Sequence, residues 1–174
     1  MISLNPFDFL ESVCNISDAN IARVVQLLGK TNQFNLTTRR ESLNQIKSII
    51  SDPINYARCF QLVDKYGDNG IVGIAIATPQ DNARVLQIDM FVMSCRVIGR
   101  GLEAFMLNDI HSFAQNANVE RVRGLYVPTK KNVQTRDLYA HFGFDKVSED
   151  DEVARSVWEI STSKLKIQNC FIDS

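Results

Sequence analysis

The spacing of apolar residues predicts two helices near the start of the chain. The first carries an apolar stripe at helical spacing, formed by Ile21, Val24, Val25 and Leu28. Gly29 is expected to end it. The second carries the stripe Leu43, Ile46, Ile49 and Ile50. It must end before Pro53, because a residue that precedes proline disfavours the helical conformation. The polar stretch between the helices, residues 31–38, is predicted to be a loop.

Alternating and β-branched residues then predict strands. Residues 59–64 and 71–77 are predicted to form a hairpin around the turn sequence GDNG at 67–70. Residues 85–93 form a third predicted strand with two opposite faces. One face holds Leu86, Ile88, Met90 and Val92, and the other holds Gln87, Asp89, Phe91 and Met93.

The second half of the chain alternates helices and strands. Its longest predicted helix has apolar positions at Leu102, Phe105, Met106, Ile110, Phe113 and Ala114. After it come a predicted strand at 122–127, a short helix at 132–142 and strands at 145–148 and 156–162. This order predicts an α/β fold with a mixed, mostly antiparallel central sheet and helices on both faces. Such a fold would have one more strand before the first helix, for which residues 9–15 are the candidate.

Size and charge narrow the function classes. The 174 residues suit one domain, and the net charge of −1 gives no global electrostatic argument for binding nucleic acid or an anionic membrane. The cysteines are scattered and the histidines few, so no metal site is expected and the thiols are predicted to be reduced. The first residues lack a basic signal-peptide region, and no apolar run approaches the roughly 20 residues that span a bilayer. We therefore expect a cytoplasmic protein.

A loop that contains two glycines joins the strand at 85–93 to the longest helix. Its sequence is Arg96-Val97-Ile98-Gly99-Arg100-Gly101. The first turn of a helix has unpaired N–H groups and the positive end of the helix dipole, and glycine lets a ligand approach the backbone closely. The two arginines add positive charge. The loop is therefore interpreted as a phosphate cradle, and the alternative is a tight strand-to-helix turn without a ligand.

This loop resembles the pyrophosphate loop of the GNAT acyltransferases, Gln/Arg-x-x-Gly-x-Gly/Ala, through Arg96, Gly99 and Gly101. A second GNAT signature is matched by Asn132, Leu138-Tyr139 and Gly143-Phe144. The resemblance implies a GNAT-like fold that binds acetyl-CoA or another acyl-CoA. The cofactor contacts that it implies are Val92, Met93, Arg96, Val97, Ile98, Gly99, Arg100, Gly101, Leu102 and Asn132.

The resemblance also assigns roles to single residues. Tyr139 is implied as the acid that protonates the departing thiolate, and the alternative is a ring that packs beneath the cofactor. Asn132 is implied to contact the pantetheine region, and the alternative is a helix N-cap.

Other candidates come from the residues themselves. Asp89 interrupts an apolar strand and is the best candidate for a catalytic base, because burial would raise its pKa. The alternative is an ion pair with an arginine, for which the candidates are Arg39, Arg40 and Arg123. In GNAT-like folds the segment between the first two helices walls the acceptor site. Asn35, Arg39 and Arg40 are therefore candidates for reading a substrate or a carrier protein, and the alternative is an ordinary polar loop.

Three further side chains are weaker candidates. Cys95 lies beside the glycine loop but has no histidine spaced to activate it, so it is interpreted as a buried thiol. His111 falls on the polar side of the longest helix and is expected to be exposed. His141 follows Tyr139 closely and is a minor candidate for a functional role.

A narrower resemblance is carried by three strings, TNQFNLTTRR at 31–40, DNGIVG at 68–73 and SCRVIGRGLE at 94–103. They resemble the C-terminal half of FkbH-like proteins, in which a phosphatase-like HAD domain precedes a GNAT-like domain. That family is associated with loading a glyceryl unit onto an acyl carrier protein in polyketide pathways, and the HAD half carries the loading chemistry. Residues 1–174 are accordingly expected to form a single GNAT-like domain that belongs to a longer HAD–GNAT protein.

Two functions remain open from the sequence. The chain is either an acyltransferase that uses acyl-CoA, or a module that binds CoA or the phosphopantetheine arm of an acyl carrier protein while a HAD domain does the chemistry. The Tyr139 signature favours the enzyme, and the absence of an unambiguous base favours the module. A third reading is a GNAT-like scaffold that binds neither ligand.

Overall fold

The computed structural model of the protein describes residues 2–5, 9–64, 67–150 and 154–164. Its strands are β1 Ile2–Asn5, β2 Phe9–Asn15, β3 Tyr56–Asp64, β4 Gly67–Gln80, β5 Val85–Met93, β6 Arg121–Tyr126, β7 Asp145–Asp150 and β8 Arg155–Ser161. Its α-helices are α1 Ile21–Lys30, α2 Leu43–Ile50, α3 Leu102–Asn116 and α4 Leu138–His141. Within these ranges, no helix is long and apolar enough to cross a membrane.

The strands of the described part of the chain form one eight-stranded sheet in the order β1-β2-β3-β4-β5-β6-β8-β7. β5 and β6 run parallel, and every other neighbouring pair in this sheet is antiparallel. A parallel pair needs a long crossover connection, which α3 provides here. The predicted mixed, mostly antiparallel sheet is confirmed, and the candidate strand at residues 9–15 is β2. β1 was not predicted.

Helices cover both faces of the sheet, as predicted. On one face α1 and α2 bury an apolar cluster against the strands, which includes Ile21, Val24, Leu28, Ile46, Ile74, Ile76, Met90 and Val92. On the other face α3 and α4 bury a larger cluster, which includes Phe60, Leu86, Ile88, Phe91, Met93, Leu102, Phe105, Met106 and Tyr139. The α2 helix begins with a capping box between Ser42 and Gln45, which satisfies N–H groups of its first turn.

Two predicted boundaries differ from the structure. Asp64 of β3 pairs with Gly67, and the predicted turn sequence GDNG at 67–70 belongs to strand β4. The predicted helix at 132–142 is divided into a 3₁₀ turn, Val133–Thr135, and the short α4. The Thr135 hydroxyl donates to the Asn132 carbonyl at 2.8 Å. This local bond competes with a continuous helix.

The alternation predicted along β5 is wrong beyond Asp89. Ile76 pairs with Met90 but Ala77 pairs with Ile88, so Asp89 is an extra residue that forms a β-bulge. The bulge places Leu86 and Ile88 on the same face as Phe91 and Met93, while Met90 and Val92 lie on the other face. After Asp89 the residues of β5 are apolar on both faces, so the sequence carries no polar–apolar alternation that would reveal the change of face.

Candidate functional site

A gap opens between the parallel strands β5 and β6 at their carboxyl ends. Their pairing stops at Ile88 and Gly124, although β5 continues to Met93 and β6 continues to Tyr126. In α/β folds, ligands bind beyond the carboxyl ends of parallel strands. The gap lies next to the Asp89 bulge, and bulges are common beside active sites. We therefore take this gap as the centre of the candidate site.

The glycine loop leads from the end of β5 to α3 as predicted. It begins with a 3₁₀ turn, Cys95–Val97, and passes through Gly99 and Gly101, whose φ angles of 76° and 82° are left-handed. A β-carbon at Gly99 would meet no atom within 4 Å, so the space above this backbone is open. In the described chain, no side chain caps the first turn of α3, which begins at Leu102. The loop therefore has the local conformation of an anion cradle. Within it, the N–H groups of Val97 and Arg100 donate to loop carbonyls, and the Gly99 N–H donates to Glu103 Oε1 at 3.4 Å, so an anion would replace the Glu103 carboxylate there.

Tyr139 lies at the point where the two parallel strands separate. It is buried, and a β-carbon on Gly124 would come within 2.3 Å of its ring. Among the described residues, its hydroxyl has no hydrogen-bond partner. Burial raises the pKa of Tyr139 well above its usual range; the Leu125 backbone lowers it by less, and the negative charge of Asp89 adds a smaller increase. The phenol is therefore protonated at neutral pH, and the raised pKa makes it a weaker acid toward a thiolate than a solvent-exposed tyrosine.

The carboxylate of Asp89 is held by three side chains. Its Oδ1 accepts from Arg39 Nη1 at 3.0 Å and from Gln87 Nε2 at 2.9 Å. Its Oδ2 accepts from Thr78 Oγ1 at 2.6 Å. The ion pair considered as an alternative is present with Arg39, whose side chain is half exposed. The candidate base is therefore fixed in position by a guanidinium, an amide and a hydroxyl group.

Asn132 is buried, and its side chain joins two backbone segments. Its Nδ2 donates to the carbonyls of Asn35 and Val127, both at 2.9 Å. Its Oδ1 accepts from the Thr129 N–H at 2.7 Å. Its side chain makes no capping hydrogen bond to the 3₁₀ turn that starts at Val133. The alternative prediction, a helix N-cap, is therefore wrong for this side chain. The implied cofactor residues Val92 and Met93 contact the same region, because Asn35 forms an antiparallel bridge with Val92.

A basic groove of about 770 Å³ opens beside the glycine loop. Its charged lining residues are all cationic, namely Arg23, Lys30, Arg96, Lys130 and Lys131, and no acidic residue is among the lining residues. The groove is formed by α1, the segment after it, the start of the glycine loop and the segment after β6. Its size suits a small-molecule ligand or a cofactor arm, and its charge suits an anion.

The remaining predicted residues lie in varied surroundings. Arg40 does not reach Asp89. Its guanidinium donates to the Gly29 carbonyl at 3.2 Å and to the Asn32 side chain. The prediction that His111 is exposed is wrong: it is buried, with Nε2 2.9 Å from the Thr162 carbonyl, because α3 packs over the end of β8. His141 is exposed at the end of α4.

No disulfide joins the cysteines of the described residues, Cys14, Cys59 and Cys95. Cys95 is exposed, so its interpretation as a buried thiol is wrong; it begins the 3₁₀ turn that leaves the sheet edge. Cys14 and Cys59 are opposite each other on β2 and β3, with their sulfur atoms 2.8 Å apart. Cys170 lies outside the described residues.

Sequence reasoning missed two parts of the site. Gly124, which makes room for the Tyr139 ring, is a glycine inside a strand, a pattern that often marks a close approach of other atoms. The groove lysines Lys130 and Lys131 immediately precede Asn132 in the chain, and this charged pair was the available signal for them. Arg23 and Lys30 gave no local signal, because basic residues on a helix surface are common.

Together, the strand order, the parallel pair that separates at its carboxyl end and the glycine loop that leads into α3 define the GNAT fold. Similar solved structures include Ard1 from Thermoplasma volcanium, with a TM-score of 0.67 and 14% identity over 87% of this chain and 97% of that one. Spermidine N-acetyltransferase from Vibrio cholerae, in complex with CoA and spermine, has a TM-score of 0.66 and 14% identity over 89% and 97%. YncA from Salmonella typhimurium, a putative acetyltransferase with its cofactor acetyl-CoA, has a TM-score of 0.65 and 11% identity over 88% and 95%. No protein-family model and no curated protein sequence matches the chain.

Proposed function

We propose that the chain binds an acyl-CoA and transfers the acyl group to an acceptor. The observation that carries this proposal is the open glycine loop at the uncapped start of α3, beside the gap between β5 and β6. Two structures of the same fold were crystallised with CoA or acetyl-CoA, which supports this class of ligand. The pyrophosphate would lie on the N–H groups of residues 97–102, with Arg96 and Arg100 adding positive charge.

The chemistry assigned to the site is acyl transfer. The acceptor nucleophile attacks the thioester carbonyl, a bond forms between them, and the carbon–sulfur bond breaks. Tyr139 is proposed to give its proton to the departing thiolate. Its position where β5 and β6 separate supports this role, and among the described residues no group accepts its proton. Asp89 is proposed to take the proton that the acceptor loses, with Arg39 setting its position.

Calorimetric titration with CoA and acetyl-CoA tests the proposal. We expect both ligands to bind the purified protein, and Gly99→Ala to weaken binding at least tenfold, because the new methyl group enters the phosphate space. Gly70→Ala is the matched control, since Gly70 also has a left-handed φ of 64° and open space but lies in the β3–β4 hairpin. If neither CoA nor acetyl-CoA binds at millimolar concentration, or if both substitutions weaken binding equally, the loop is not a phosphate-binding site.

The second candidate is a module for a phosphopantetheine arm. The observation that favours it is the basic groove, whose five cations have no acidic neighbour in the lining and would suit an acidic acyl carrier protein. In this proposal a HAD domain of the parent chain does the chemistry, as in FkbH-like proteins. Phosphopantetheine is also part of CoA, so the same gap could receive either arm. Binding of an acyl carrier protein to the chain would distinguish the two functions.

A further inference from the structure

The gap between β5 and β6 is filled by the chain itself. Leu36 N–H donates to the Phe91 carbonyl at 3.3 Å, and Met93 N–H donates to the Phe34 carbonyl at 3.0 Å. These two bonds flank the bridge between Asn35 and Val92, which is the pattern of a short antiparallel strand pair. The residues of this segment, Phe34 to Thr37, are all buried. We call residues 34–37 the gap segment.

The gap segment is bonded on its other side as well. Val127 N–H, just after β6, donates to the Leu36 carbonyl at 2.8 Å, and Asn132 Nδ2 donates to the Asn35 carbonyl at 2.9 Å. The Thr37 hydroxyl donates to the carbonyl of Asp89, the bulged residue, at 2.7 Å. The segment therefore connects the two strands where their own pairing has stopped. Without it, the edge of β5 beyond the bulge would present unpaired backbone groups.

These backbone groups are the ones that an acyl-CoA arm would use. The arm of CoA is extended and carries amide groups, so it can pair with a free strand edge in the way a peptide does. The GNAT resemblance implies cofactor contacts at Val92, Met93 and Asn132, and the gap segment engages all three residues. An N–H group that donates to the gap segment cannot at the same time donate a full hydrogen bond to the ligand.

The gap segment is held next to a strained residue. Thr38, which follows it, has a φ of 58°, a left-handed conformation that a β-branched side chain rarely adopts. Its N–H donates to Asn35 Oδ1 at 2.9 Å, which closes a tight turn. Strain of this kind persists only where surrounding contacts enforce it, and it is common in segments that switch position.

We propose that the gap segment is a built-in competitor of the acyl-CoA or phosphopantetheine arm, and that the arm enters only when the segment leaves the gap. This inference rests on the proposed function, because it assumes that such an arm binds here. Apparent affinity for the arm is then reduced by the fraction of molecules in which the segment is inserted. Changes that stabilise the inserted segment weaken ligand binding, and changes that loosen it strengthen binding.

A reversible disulfide gives the sharpest test. Asn35 and Val92 form a non-hydrogen-bonded antiparallel pair, the arrangement in which facing side chains are closest and a disulfide can form. The variant Asn35→Cys with Val92→Cys is titrated with CoA in its oxidised and reduced forms, after peptide mapping has located the bridge. We expect the oxidised form to bind CoA at least about tenfold more weakly, with recovery on reduction. The reduced form of the same protein is the control.

Two single variants test the opposite directions without a crosslink. Thr37→Val keeps the shape but removes the bond to the Asp89 carbonyl, so CoA should bind several-fold more tightly. Thr38→Asn relieves the left-handed strain at an exposed position, so CoA should bind more weakly. Hydrogen exchange of the Leu36 and Val127 amides should increase when CoA is added, because both lose their partner.

The outcomes separate this inference from the function beneath it. If the oxidised and reduced forms bind CoA equally well, and hydrogen exchange of the Leu36 amide does not change, the gap segment is not a competitor. The proposed acyl-CoA site would then be unaffected. Absence of CoA binding in every form, including Thr37→Val, would remove the proposed function and this inference with it.

Discussion

The ring of Tyr139 lies directly on the backbone of Gly124. A β-carbon at position 124 would be 2.3 Å from two ring atoms, far inside van der Waals contact. Gly124 is also the last residue of β6 that pairs with β5. The position of the proposed proton donor is therefore set by a missing side chain on the neighbouring strand, at the point where the gap opens.

Gly124→Ala is expected to displace the Tyr139 ring. Overpacking of this kind typically destabilises a protein by about 1–3 kcal/mol, and urea unfolding measures it. Acyl transfer should fall by more than the loss of folded protein explains. Gly73→Ala is the control, because its β-carbon also meets close neighbours, the Met106 sulfur at 2.9 Å and Phe60 Cβ at 3.2 Å, away from Tyr139. Equal activity losses in both variants would contradict a specific role for the contact.

Tyr139→Phe is expected to separate activity from stability. The change removes a buried hydroxyl without a partner and keeps the ring, so stability should stay the same or rise by up to about 1 kcal/mol. If Tyr139 is the proton donor, kcat should fall by roughly 10²–10⁴-fold while CoA affinity changes little. Steady-state kinetics and thermal unfolding of the same preparations measure both. If the Tyr139→Phe variant keeps its full kcat, Tyr139 is not the proton donor and only packs in the core.

The fold could be predicted because its signals are local. The apolar stripes of α1 and α3, and the glycine loop between β5 and α3, each lie within one stretch of sequence. The bulge at Asp89 could not be predicted, because the residues that follow it in β5 are all apolar and alternation therefore carries no register there.

The contents of the site depend on non-local contacts, which explains why they were missed. Residues 34–37 carry polar and apolar side chains typical of a loop, and only the distant ends of β5 and β6 turn them into a strand. Tyr139 could be identified from the GNAT signature, but its contact with the Gly124 backbone is visible only in the three-dimensional structure.

Glu11 predicts a pH dependence of stability. It is buried on β2, and within the described part of the chain neither carboxylate oxygen has a hydrogen-bond partner. Burial, helped by the charge of Glu103, raises the pKa of Glu11 from 4.5 to about 7. Between these pH values the unfolded chain loses this proton while the folded protein keeps it, so stability falls as pH rises from about 4.5 to 7 and stays lower above.

Glu11→Gln should remove this slope. One pKa unit corresponds to about 1.4 kcal/mol, so the free energy of unfolding of the variant relative to the natural chain should rise by about 2 kcal/mol from pH 5 to pH 8. Urea unfolding at both pH values measures the difference. Glu120→Gln, at an exposed carboxylate, is the control and should show little pH-dependent change. A Glu11→Gln difference that does not vary with pH would contradict a raised pKa.

The last prediction concerns the basic groove and separates enzyme from module. Arg39→Glu and Arg40→Glu would be poor probes, because Arg39 pairs with Asp89 and Arg40 binds the Gly29 carbonyl. Lys130 and Lys131 are exposed and line the groove, so Lys130→Glu with Lys131→Glu is the cleaner charge reversal. Each exposed ion pair contributes only about 0–1 kcal/mol, so carrier binding should be weak and salt-sensitive.

NMR titration of a labelled acyl carrier protein, at low and raised salt, measures this binding. The holo carrier should bind at low salt, the apo carrier should bind less well because it lacks the arm, and the Lys130→Glu, Lys131→Glu variant should weaken both. Lys47→Glu with Lys164→Glu makes the same charge change at exposed positions outside the groove and should have a smaller effect. If neither carrier form shows shifts at low salt while acetyl-CoA is turned over with a small amine, the module is excluded. The groove then serves the phosphates of CoA or an anionic acceptor, and charge reversal at Lys130 and Lys131 should raise the KM for one of those two substrates.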